Sequence, residues 1–74
     1  MDKIKIIFDK MGITDDYNED TKLDLLGFNS LAVLELIVEI EEYYDIVIEE
    51  TDLEMENFQT VSTVCRLIEK YTEK

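Results

Sequence analysis

Residues 29–44 read NSLAVLELIVEIEEYY, and this stretch decides the fold. Asn29 is a favourable N-cap residue, and the residues after it predict a helix from Ser30 to about Tyr44, ended by Asp45. At about 100° per residue, its apolar side chains form two stripes on opposite sides. The longer stripe should face the core and comprises Val33, Leu36, Ile37, Ile40 and Tyr44.

The shorter stripe of this helix consists of Leu31, Leu34 and Val38, and carboxylates flank it at Glu35, Glu41 and Glu42. A surface helix needs only one apolar stripe toward the core, so we expect the shorter stripe to be exposed. An apolar centre with a charged rim is typical of a binding face. The alternative is a central helix with both faces buried, which the small number of other helices disfavours.

Two further helices are predicted at the ends of the chain. The first carries one apolar face and ends at Gly12, a favourable C-terminal cap; that face consists of Ile4, Ile7, Phe8 and Met11. Thr60 is the expected N-cap of the last helix, whose stripe is Val61, Val64, Cys65, Ile68 and Tyr71. Cys65 on this stripe is expected to be a structural thiol.

The connections are predicted from their turn-forming and apolar residues. Residues 13–22 are polar and indicate a long loop, docked on the core by Leu23, Leu25, Leu26 and Phe28. Residues 45–51 indicate a second loop with inward-pointing apolar side chains, and residues 52–57 a short helical turn capped by Thr51 or Asp52. The expected fold is all-α, a single domain over residues 1–74 with three main helices, one short helix and a long first loop.

The net charge of the chain limits the classes of molecule that it can bind. Seven basic and 19 acidic residues give a net charge of −12, and no Lys or Arg occurs between Leu23 and Cys65. This charge repels nucleic acids and anionic membranes and favours partners with basic patches; the alternative is that it serves only solubility. One Cys and no apolar run long enough for a membrane span predict a cytoplasmic protein, by default a monomer.

Ser30 at the head of the acidic helix indicates an attachment point. The chain has no His, so a hydrolase with a serine nucleophile lacks its base. The N-terminus of a helix stabilises a phosphate group, so a phosphate ester on Ser30 is physically reasonable. A metal site is not expected, because one Cys and no His are available and, counting from Asp16, Thr21 and Gly27 stand where a calcium loop has Gly and Glu. The alternative for the acidic loop at 15–20 is weak divalent binding.

The order and spacing of several motifs resemble the acyl carrier protein family. They are LGFNSL at 26–31, LEL at 34–36, IEEYYDI at 40–46 and FQTV at 58–61. The resemblance implies a non-enzymatic carrier in which Ser30 bears a 4′-phosphopantetheine arm, derived from coenzyme A, that holds cargo as thioesters. Two positions depart from the family: Asn29 replaces the usual Asp, and Ala32 stands where an acidic residue is common in bacterial fatty-acid carriers.

The resemblance also implies partners and their docking site. A phosphopantetheinyl transferase would modify the serine, and acyl- or aminoacyl-loading and processing enzymes would dock on the second helix. The matching positions are Leu31, Leu34, Glu35, Val38, Glu41 and Glu42, the residues that the two-stripe argument leaves exposed.

Three questions stay open at the level of sequence. A cargo cleft is possible between the second and last helices, near Ile37, Ile40, Phe58, Val64 and Ile68, although plain core is the favoured interpretation of these residues. The cargo could be fatty acyl, polyketide, aminoacyl or D-alanyl. The alternative function is an unmodified acidic interaction module with the same fold.

Overall fold

Three α-helices form the frame of the protein, which a computed structural model describes over residues 2–73. They are α1 (Asp2–Lys10), α2 (Ser30–Tyr44) and α3 (Val61–Thr72). Three short 3₁₀ turns lie in the connections, at Leu23–Leu26, Glu50–Asp52 and Met55–Phe58. The all-α prediction is confirmed, while residues 1 and 74 of the predicted domain lie outside the described range.

The core forms where the apolar faces of the three helices meet the two connections. Phe8 of α1 lies at its centre, with its ring centroid 5.0 Å from that of Tyr17 and 5.4 Å from that of Phe28. The long first loop is therefore packed onto α1 by aromatic contacts. The buried set is Ile4, Ile7, Phe8, Leu23, Leu26, Phe28, Leu36, Ile40, Ile48, Phe58, Val61, Val64, Leu67 and Ile68.

α2 packs against this core through its longer apolar stripe, as predicted. Leu36 and Ile40 are fully buried, and the other three members of the stripe pack partly buried against the core. The Tyr44 hydroxyl at the end of the helix donates to the Lys3 carbonyl oxygen at 2.6 Å. This hydrogen bond ties the end of α2 to the start of α1 and fixes the side of α2 that faces solvent.

The predicted helix ends are present. The Asn29 side chain accepts from the Ala32 backbone N–H at 2.9 Å, and Thr60 forms a reciprocal capping box with Thr63 at the start of α3. Gly12 follows α1 with φ of 80°, and Asp45 ends α2 with φ of 54°. These are left-handed conformations, which Gly adopts freely and Asp tolerates better than most residues.

One core prediction in the first connection is wrong: Leu25 is 76% exposed. The residues around it form a 3₁₀ turn, which repeats every three residues. Leu23 and Leu26, three positions apart, therefore share the buried side, while Leu25 points away from it.

The short helical turn predicted at 52–57 is present with other bounds, whereas its predicted cap is wrong. Two separate 3₁₀ turns occupy this region, and neither has a side-chain cap at its start. Thr51 cannot serve as the cap because it lies inside the first of these turns. In the loop before them Ile46 and Ile48 are directed inward as expected, whereas Val47 is exposed.

The two connections meet beside the start of α2. The Leu23 N–H donates to the Gln59 carbonyl oxygen at 2.9 Å, and the Val61 N–H donates to the Thr21 carbonyl oxygen at 3.0 Å. This pairing brings residues 21–23 against residues 59–61, and the two connections form two walls beside the N-terminus of α2. Within residues 2–73, none of the helices combines the length and apolar character that crossing a membrane requires.

Candidate functional site

Ser30 is the first residue of α2, and its side chain is exposed. Asn29, just before it, caps the helix, and its carbonyl oxygen accepts the Val33 N–H at 2.9 Å. Among residues 2–73, no hydrogen-bond partner occupies the Ser30 hydroxyl. The hydroxyl is therefore exposed to solvent at the start of the capped helix.

The electrostatic surroundings of Ser30 suit a phosphate ester. The first N–H groups of a helix lack intrahelical acceptors and carry partial positive charge. The first turn of α2 contains no acidic residue. Asn29 accepts the Ala32 and Val33 N–H groups, and the positive end of the helix with no carboxylate on its first turn favours a phosphate group on Ser30.

A hollow of about 520 Å³ opens beside Ser30. Its apolar surface comes from Phe28, Val33 and Phe58, with Met55 on the exposed side. Lys22 and Asp24 bring charge of both signs to the same hollow. The complete lining is Lys22, Leu23, Asp24, Phe28, Asn29, Ser30, Val33, Met55, Phe58, Gln59 and Thr60. Ser30 thus lies where an attached chain could fold back onto an apolar surface.

The residues predicted to line a cargo cleft lie in two different places in the structure. Ile40, Val64 and Ile68 are fully buried in the core, and Ile37 packs partly buried against it. Phe58 is the member of the set that lines the hollow beside Ser30. The hollow therefore lies closer to the N-terminus of α2 than the predicted position, since Ile40, Val64 and Ile68 are buried in the core.

The shorter stripe of α2 is exposed in the structure. Leu31 is 65% exposed, Leu34 is 59% exposed and Val38 is 49% exposed. Glu35 and Glu42 are exposed along the same side. A groove of about 440 Å³ continues this face toward the end of α1 and is lined by Lys10, Met11, Leu34, Glu35, Val38 and Glu39.

Glu41 differs from the other carboxylates named for docking. It is half-buried, and its Oε2 accepts the Ile48 backbone N–H at 2.9 Å. Glu41 therefore holds the loop after α2 against the helix. Sequence periodicity places Glu41 at the border of the face, but the acceptor role depends on the path of the following loop.

A polar cluster that the sequence did not reveal lies at the far end of α3. The Asp52 carboxylate accepts from the Lys70 ammonium at 2.9 and 3.0 Å and from the Tyr71 hydroxyl. The Tyr71 hydrogen bond, then the Lys70 ammonium, lower the pKa of Asp52, while the contact with Asp52 raises the pKa of Tyr71 and of Lys70. No local sequence motif predicts the cluster, because Asp52 is 18 residues from Lys70 and 19 residues from Tyr71.

Cys65 lies partly buried on α3, and burial raises the pKa of its thiol. A raised pKa disfavours the reactive thiolate, in keeping with a structural role. Among residues 2–73, no group of His, Cys, Asp and Glu side chains has the arrangement of a metal site.

The family model described as "Phosphopantetheine attachment site" matches residues 4–68. An acyl carrier protein of Clostridium perfringens is 41% identical over 76 residues, which cover 99% of this chain and 97% of that protein. The chain belongs to the acyl carrier protein family. An aminoacyl carrier protein of Bradyrhizobium diazoefficiens is 23% identical, over 88% of this chain and 73% of its own length.

The fold agrees with this family. A similar structure is a crystal structure of Bradyrhizobium japonicum glycine:[carrier protein] ligase complexed with its cognate carrier protein and an analogue of glycyl adenylate. The match has a TM-score of 0.77 and 24% identity, and it covers 95% of this chain and 99% of the other. As a member of this family, the chain is a non-enzymatic carrier that holds acyl intermediates on covalent 4′-phosphopantetheine.

Proposed function

We propose that the Ser30 hydroxyl is the attachment point of the phosphopantetheine arm. The observation that carries this proposal is the placement of an exposed hydroxyl at the capped N-terminus of α2, beside the hollow. The other serine of the chain, Ser62, is less suitable. It is half-buried in the first turn of α3, where its hydroxyl lies 3.1 Å from that of Thr60.

The chemistry assigned to Ser30 is that of an acceptor. Its Oγ forms a bond to the phosphorus on the pantetheine side of coenzyme A while the phosphoanhydride bond breaks and the nucleotide part leaves. The hydroxyl proton passes to a base of the transferase, because this chain has no His. The arm supplies a thiol that holds the cargo as a thioester, and tethering raises the effective concentration of the cargo at each partner.

The exposed face of α2 is proposed as the surface on which partner enzymes dock. Leu31, Leu34 and Val38 supply its apolar centre, and Glu35 and Glu42 supply its charged rim. α2 contains no basic residue, so a phosphopantetheinyl transferase and the loading enzymes would meet it with basic patches. Glu41 lies at the edge of this face, and its carboxylate also accepts the Ile48 N–H of the loop after α2.

The remaining parts of the proposal concern the state of the protein and its cargo. Residues 1–74 act as one carrier domain and as a monomer, which self-repulsion at a net charge of −12 favours. A cytoplasmic location fits a single free cysteine. The hollow beside Ser30, and not the packed middle of α2, would receive the proximal part of the cargo.

The attachment point is tested by the intact mass after incubation with coenzyme A, Mg²⁺ and a broad-specificity phosphopantetheinyl transferase. The wild type and Ser62→Ala should each gain one phosphopantetheine, and Ser30→Ala should gain none. Modification of Ser30→Ala would exclude the assignment. No gain on any variant with several transferases would favour the unmodified interaction module.

The docking face is tested by the rate of the same reaction. Glu35→Lys and Glu42→Lys should each slow modification, most strongly at low salt, because exposed charges act mainly on the association rate. Glu69→Lys makes the same charge reversal on the exposed side of α3 and serves as the control. If Glu69→Lys slows modification equally, the effect comes from the net charge of the protein, and the result would contradict a docking face on α2.

A further inference from the structure

The segment that closes the hollow beside Ser30 has few apolar anchors. Ile48 and Phe58 are buried, but none of the residues 49–57 between them has a buried side chain. Met55 and Phe58, at the end of this segment, line the hollow. Apolar burial therefore fixes the two ends of the segment, and its middle must be held by polar contacts.

Asp52 supplies these contacts. Its side chain is 16% exposed although it is charged, and it accepts hydrogen bonds from Lys70 and Tyr71 of α3. Its carbonyl oxygen accepts the Asn57 side-chain amide at 2.7 Å. One residue thus links the first 3₁₀ turn of the segment to α3 on one side and to the second turn on the other.

Tyr71 strengthens the link by using its hydroxyl twice. The hydroxyl donates to the Asp52 carboxylate and accepts the Glu49 backbone N–H at 2.9 Å. Both ends of the Glu50–Asp52 turn are thereby held to the same atom of α3. Because Asn57 is then attached to Asp52, the junction adds to the burial of Phe58 in fixing the Met55–Phe58 turn.

We propose that Asp52 is a positioning residue that holds the Met55–Phe58 wall of the hollow in place and so sets how well the protein shields cargo attached at Ser30. Asp52 acts on the cargo through the wall and does not touch the attachment site. The shielding part of the proposal rests on Ser30 as the attachment point, whereas the positioning part concerns the protein without its arm.

The positioning part is tested on the unmodified protein by amide hydrogen exchange followed by NMR. Asp52→Ala and the milder Tyr71→Phe should each speed exchange about tenfold at the amides of Leu53 and Asn57, with α1 and α2 unchanged. Glu54→Ala removes an exposed carboxylate in the same segment and should leave these amides as in the wild type. Unchanged exchange in Tyr71→Phe with its helices intact would overturn the proposal.

The shielding part is tested after loading from hexanoyl-coenzyme A with a broad-specificity transferase. Thioester cleavage by hydroxylamine should be several-fold faster in Asp52→Ala and Tyr71→Phe than in Glu54→Ala and the wild type. Faster exchange with equal cleavage rates would overturn shielding by this wall. If loading fails at Ser30 in the wild type, the proposed attachment point is wrong, while the exchange data still decide whether Asp52 positions the segment.

Discussion

Glu41 offers the sharpest test, because sequence and structure give it different roles. The sequence places it with Glu35 and Glu42 on a docking face, whereas the structure directs its carboxylate to the Ile48 N–H at 2.9 Å. Glu41→Ala should therefore destabilise the fold, and Glu42→Ala, which removes the same charge from an exposed position one residue later, should not.

The size of the effect follows from the group that is left without a partner. The Ile48 side chain is buried, and its N–H would lose a charged acceptor in a partly buried setting. Such a loss lowers the unfolding free energy by about 1–3 kcal/mol. Because Glu41 is partly exposed, we expect a value in the lower half of this range, about 1.5 kcal/mol. For a domain of this size, that corresponds to a decrease in melting temperature of roughly 6–12 °C.

Thermal unfolding followed by circular dichroism measures the difference directly. Glu42→Ala should change the unfolding free energy by no more than about 0.5 kcal/mol. Because it removes the same negative charge as Glu41→Ala, it also controls for the reduced charge repulsion within the protein. Glu41→Gln, whose amide oxygen still accepts a hydrogen bond, should fall between the two. If Glu41→Ala and Glu42→Ala have the same melting temperature, the Glu41 carboxylate does not hold the loop. The result would then favour the assignment of Glu41 to the docking face.

Three further predictions concern other parts of the molecule. Leu36→Ala should lose about 2–5 kcal/mol of unfolding free energy in urea titrations, whereas Leu34→Ala on the exposed face should change it little; equal losses would mean that both faces of α2 are buried. Asn29→Ala should lose about 1 kcal/mol and Asn29→Asp almost nothing, since Asp caps equally well; a large loss for Asp would show a role beyond capping. The pKa of Asp52 is lower in the folded state than its usual 3.8, so its contribution is present above that pH and lost as the pH falls through the folded-state pKa. The stability difference between wild type and Asp52→Asn should therefore be constant near neutral pH and shrink under acid; a difference that grows toward low pH would contradict the contacts described for Asp52.

Local signals predicted the helices well. The Asn29 and Thr60 caps, the Gly12 end of α1 and the Asp45 end of α2 were all visible as residue types at the right positions. The buried stripe of α2 followed from its period, since residues three and four apart share one side of a helix. The bounds of the 3₁₀ turns were not predicted, because a turn of three or four residues is too short to show a hydrophobic period, and Leu25 was misplaced for the same reason.

The sequence by itself determined the three α-helices, the exposed apolar stripe of α2, and the serine at its head, because caps and hydrophobic period are local properties of the chain. Only the tertiary structure decided the position of the hollow, the partner of Glu41 and the Asp52 junction with α3. Each of these depends on where a loop returns to a helix, and the groups that meet there are distant in sequence. A carboxylate on a helix surface looks the same in the sequence whether it faces solvent, a partner enzyme or a backbone N–H of its own chain.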